Sequence, residues 1–81
     1  MDEQHRILLL EFRNAIYSKT KGKNVTFITG ALEREVDKLL GADSTNPDLS
    51  QLKSDIRLLP NECFDVQGRL NYINSQLGIY S

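Results

Sequence analysis

Apolar side chains recur three and four residues apart through almost the whole chain, and that rhythm leaves little room for anything but helices. Val25, Ile28, Leu32, Val36 and Leu39 follow one another at intervals of three, four, four and three residues. Leu49, Leu52, Ile56 and Leu59 repeat the pattern, as do Val66, Leu70, Ile73 and Leu77. Spacing of this kind lines one face of a 3.6-residue helix, whereas a half-buried strand would alternate every second residue. Glycines and prolines punctuate the rhythm at Gly22, Gly41, Pro47, Pro60 and Gly78. The expected fold is all-α: a small antiparallel bundle of three to four short helices forming a single helical domain over residues 1–81.

The first segment is expected from about Asp2 to Ser18, with Leu8, Leu9, Phe12, Ala15 and Ile16 on one face. Asp2 and Glu3 stand where the helix dipole favours negative charge, Lys19 and Lys21 where it favours positive charge, and Gly22 reads as the stop. The second segment opens on Val25-Thr26-Phe27-Ile28-Thr29, which has the composition of a strand. Helix spacing and length argue for one helix from Val25 to Leu40, capped by Asn24 and ended by Gly41; the rival is a short extended lead-in with the helix starting near Thr29. Asn46-Pro47-Asp48 reads as cap, first-turn proline and first-turn acid of a third helix. The fourth is expected to begin near Asn61 or Glu62, with Cys63, Val66, Leu70, Ile73 and Leu77 as its seam. The expected core is Leu8, Phe12, Ile16, Ile28, Leu32, Val36, Leu39, Leu52, Ile56, Leu59, Val66, Leu70 and Ile73.

A chain of 81 residues is short for its core, and small scaffolds commonly add disulfides, metals or self-association. With one cysteine and one histidine, an internal disulfide and a thiolate zinc site are both ruled out, so self-association is the remaining device. Ten basic residues against eleven acidic ones argue against a dedicated nucleic-acid binder, which carries a basic stripe. The longest apolar run, Ile7-Leu8-Leu9-Leu10, is far short of the roughly 20 residues of a membrane span, and a cytoplasmic setting with a reduced Cys63 thiol is expected.

Few groups carry chemistry. His5 stands beside Arg6 near a terminus with no partner in view, and Cys63 falls on an apolar helix position, where a thiol is ordinarily inert. Glu33, Glu35, Asp37 and Asp43 interleave with Arg34 and Lys38 as a solvated face and match no calcium loop. Lys19, Lys21 and Lys23 form the one basic cluster, a possible anion contact without the spacing of a phosphate-cradling loop. A helix-turn-helix across Gly41 would present Asp48, Lys53, Asp55 and Arg57, a face that is not basic. No catalytic residue, metal ligand or cofactor is assigned, and the chain is read as a non-enzyme.

Leu40-Gly41-Ala42-Asp43-Ser44 resembles the Gly-x-Asp-Ser motif of acyl carrier proteins, four-helix domains of similar length, and Tyr72-Ile73-Asn74 looks like their last helix. The resemblance covers about ten positions. It implies Ser44 as the site of a phosphopantetheine group and Asp43 as its flanking acid. Where that family starts a helix directly after the serine, Thr45-Asn46-Pro47 intervenes here.

Ile7, Leu10 and Tyr17 extend the apolar surface of the first helix round a second side. A helix apolar on two sides is either central in its fold or shared with a partner. The leading expectation is a helical protein–protein interaction module (a regulator, adaptor or phage-type accessory protein) that forms a homodimer or larger assembly. Its expected contact residues are Ile7, Leu10, Tyr17 and Tyr72. A carrier domain and a weak nucleic-acid-binding regulator are the alternatives.

Overall fold

The structure is a computed structural model that describes residues 3–42 and 46–78. Four helices make it up: α1 (Glu3–Thr20), α2 (Thr26–Ala42), α3 (Pro47–Leu58) and α4 (Val66–Leu77), with no strand among the described residues. The chain is an all-α bundle.

Local chemistry sets most of the helix ends. Gly22 takes φ 81° and closes α1 with paired bonds, Gly22 N–H to Lys19 O at 3.0 Å and Lys23 N–H to Ser18 O at 3.1 Å. This satisfies carbonyls that a helix terminus otherwise leaves open. Asn46 caps α3: its side-chain oxygen accepts from the N–H groups of Asp48 (2.9 Å) and Leu49 (3.3 Å), with Pro47 in the first turn. Such a cap contributes about 1 kcal/mol. Gly78, at φ 75°, ends α4 by donating to Asn74 and Ser75 carbonyls.

The strand-like Val25–Thr29 stretch is helical from Thr26 onward, with Val25 as the residue just before the helix. Asn24 Oδ1 accepts from Thr26 N–H at 2.9 Å, and Thr29 returns both its N–H and its hydroxyl to Val25 O at 2.8 Å. Val25 and Thr29 are buried, so tertiary packing outweighs the β-branched composition. Gly41 does not stop α2, which continues to Ala42 with no positive φ at Gly41.

The fourth helix starts later than its spacing suggests. Asn61 is not a cap; its side chain accepts from Cys63 N–H at 2.8 Å and holds a turn. Phe64 then turns inward, its ring edge-on to Phe12 with centroids 6.3 Å apart. Asp65 is the cap, its carboxylate accepting from Gly68 N–H at 3.0 Å. A Cβ at Gly68 would collide with that carboxylate, so this glycine serves the close approach. Cys63 is consequently an exposed turn residue and not part of the α4 seam.

The principal contacts are α2 with α3, α1 with α2 and α1 with α4. Lys53 and Arg57 of α3 reach back to Asp37 and Glu33 of α2, which makes these two helices antiparallel, and Arg13 of α1 donates to Asn74 of α4. Leu9, Phe12, Ile16, Val36, Leu52, Ile56, Leu59 and Ile73 are fully buried. The five residues expected on the inner face of α1 are the five it buries. Ile28, Leu39 and Val66, expected in the core, pack on its rim half-buried; Val25 and Leu49 are buried beyond expectation. No helix among the described residues is long and apolar enough to cross a membrane.

Candidate functional site

Antiparallel packing of α1 on α2 leaves a furrow along the outside of the pair. At one end, Ile7, Leu8 and Glu11 of α1 face Glu35, Lys38 and Leu39 of α2 around a recess of about 300 Å³. At the other, Glu11, Asn14, Ala15 and Ser18 face Phe27, Ile28, Ala31 and Leu32 around a recess of about 350 Å³. Glu11 belongs to both, so the two form one groove. Phe27 is 85% exposed and Ile7 is 43% exposed. Phe27 lies off the Val25–Leu39 stripe, in a stretch whose strand-like composition concealed its outward face.

A second cleft, of about 480 Å³, opens between the end of α3 and the start of α4. It is lined by Gln51, Asp55, Leu58, Asn61, Cys63, Phe64, Asp65 and Arg69. Asp55, expected on the outer face of the third helix, is buried at 3% exposure. Arg69 Nη1 donates to its Oδ2 at 2.9 Å and Gln51 Nε2 to its Oδ1 at 3.1 Å, so both carboxylate oxygens are satisfied. A buried carboxylate is stable only in such company. No local pattern announces this pair, because its members stand on different helices.

Tyr72 belongs to this cleft's surroundings and is separate from the α1 surface. It packs half-buried on the core with the Arg69 guanidinium 5.8 Å from its ring centroid. Burial pushes its phenol above the ordinary range, Asp48 and Asp55 push the same way, and Arg69 opposes them. The folded state therefore holds the phenolic proton more tightly than the unfolded chain. Its contribution is intact below about pH 10, the ordinary phenol value, and is lost as pH rises further. Thermal melts should show a smaller alkaline loss in Tyr72→Phe than in the parent; an equal loss would assign the effect to other groups.

The three lysines do not act together. Lys19 Nζ donates to Leu59 O (2.5 Å) and Asn61 O (2.9 Å) and lies 5.8 Å from the Phe64 ring centroid. It closes the C-terminal carbonyls of α3, where a cation suits the helix dipole. Lys21 and Lys23 are exposed in the turn around Gly22. On α3, Lys53 pairs with Asp37 at 2.6 Å and Arg57 with Glu33 at 3.7 Å. On α1, Tyr17 is 43% exposed and Leu10 half-buried. His5 is half-buried on the first turns of α1. Asp43 and Ser44, which carry the carrier-protein resemblance, lie outside the described residues.

These elements define a small antiparallel helix bundle with an apolar groove on one side and a charged cleft on another. No protein-family model, curated protein or solved structure matches the chain.

Proposed function

We propose that this chain is a helical protein–protein interaction module that works by contact and not by catalysis, and that it self-associates. The observation supporting this reading is the apolar area that α1 leaves uncovered although it already packs on both α2 and α4. Ile7, at one end of the groove, and Tyr17, outside it, each stay 43% exposed. Large exposed apolar side chains mark contact surfaces, and tyrosine supplies apolar area with a polar tip. In this role the bundle is a rigid platform, and the exposed side chains of α1 are its anchors. A regulator, adaptor or phage-type accessory protein would use such a platform.

Sedimentation across a concentration series tests the reading. A mass above the monomer is expected, reduced by Tyr17→Glu with the helical circular-dichroism signal unchanged. A monomer at every concentration removes self-association.

A further inference from the structure

We propose that the α1–α2 groove is a docking site for one amphipathic helix of a different protein, with a basic side chain at the middle of its apolar face. The proposal rests on the contact-module reading above and gives the partner its chemistry. Apolar anchors stand at both ends of the groove, Ile7 with Leu39 at one and Phe27 with Ile28 at the other, over small floor residues such as Ala15 and Ala31. Between them sits Glu11, exposed, with no cation paired to it among the described residues. The other groove carboxylate, Glu35, already has Lys38 at 3.6 Å. The groove thus offers two hydrophobic ends and one free negative charge.

The groove runs along α1 from Gln4 to Ser18 with Glu11 at its centre, and its apolar part, from Ile7 to Ser18, follows about 16 Å at 1.5 Å per residue. That is three turns of a partner helix laid into the furrow between two antiparallel helices. Its apolar anchors would fall about 11 residues apart, with Lys or Arg between them to meet Glu11. A second copy seated symmetrically fits poorly. A two-fold axis through the groove's middle would set Glu11 against Glu11, and like charges so placed disfavour association. An anionic lipid surface or nucleic acid meets the same unpaired carboxylate and is disfavoured on charge.

The test is selection of a displayed library of randomised 14-residue helical peptides on the intact protein, followed by fluorescence anisotropy with the enriched peptides. The expected result is enrichment of amphipathic sequences with a central Lys or Arg. Phe27→Glu should weaken their binding about thirtyfold or more, as loss of an interface anchor does. Glu11→Lys should weaken it roughly five- to tenfold, and replacing the peptide's basic residue with Glu should restore binding to that variant. Both positions are exposed, so the bundle should survive either change, as circular dichroism will show. No enrichment, or enriched peptides indifferent to both substitutions, overturns the proposal. So does selection of sequences matching this chain's own helices, together with loss of sedimentation mass in Phe27→Glu, because a second copy is then the occupant. Failure of the two readings is separable. Self-association sensitive to Tyr17→Glu with an unproductive library leaves contact standing and removes the groove's partner. A strictly monomeric protein that selects basic helices removes self-association and leaves the groove's partner standing.

Discussion

Arg69→Met should lower the stability of the bundle by about 2–4 kcal/mol, because it leaves the Asp55 carboxylate buried with only one partner. Asp55 has a side chain 5% exposed, and with Arg69 removed the amide of Gln51 is its one remaining donor. The Arg69 side chain is 31% exposed, which places the cost toward the lower end of that span. A chain of 81 residues has a total stability of roughly 4–12 kcal/mol, so the loss is a large share of it. The melting temperature should fall by roughly 10–25 °C. The double variant Asp55→Leu/Arg69→Met should recover most of the loss, since an apolar pair of similar volume removes the stranded charge. Urea denaturation of the two single variants and the double gives the coupling energy directly. A cost of Arg69→Met no larger than that of an ordinary surface substitution would show that water reaches Asp55 and that the clasp between α3 and α4 is not structural.

Phe12→Ala should be the most damaging single truncation. Phe12 is 1% exposed and is the largest fully buried side chain among the described residues. Its ring meets Phe64, which the turn before α4 folds inward. Truncating a buried phenylalanine costs about 3–5 kcal/mol, the sum of lost apolar transfer and the cavity left behind. Against the low end of the same total, that would leave much of the population unfolded at room temperature, and against the high end it would appear as a melting temperature lowered by roughly 12–40 °C. Phe12→Leu, which keeps most of the volume, should cost less than about 1.5 kcal/mol. Far-ultraviolet circular dichroism with a thermal melt distinguishes the two. A Phe12→Ala protein that melts near the parent would mean that the bundle closes over the cavity.

The two predictions probe different layers of what could be read. Phe12 was visible in the sequence as part of a continuous stripe with Leu8, Leu9, Ala15 and Ile16, and all five are buried on α1. Asp55 was visible only as a charged residue on the third helix, and a charge there ordinarily faces water. Its burial follows from the approach of α4, which brings Arg69 to it from 14 residues away. Lys19 repeats the lesson over a longer span. It reads as one of three loop lysines, yet it caps α3 through Leu59, 40 residues on. The groove was half legible: Ile7 stood out as apolar on the wrong side of its helix, while Phe27 was hidden in a stretch of strand-like composition.

Taken alone, the sequence determined that there are helices, which faces they bury, and where α1 and α3 begin or end. Those outcomes depend on side chains within one or two turns of each other: apolar spacing, the Asn46-Pro47 cap and the left-handed turn at Gly22. Tertiary structure decided that α4 waits for Asp65, that Asp55 goes inside and Phe27 stays outside, and that Lys19 serves another helix's end. Each of these turns on how closely and at what angle two helices meet, and no interval along one segment encodes that meeting.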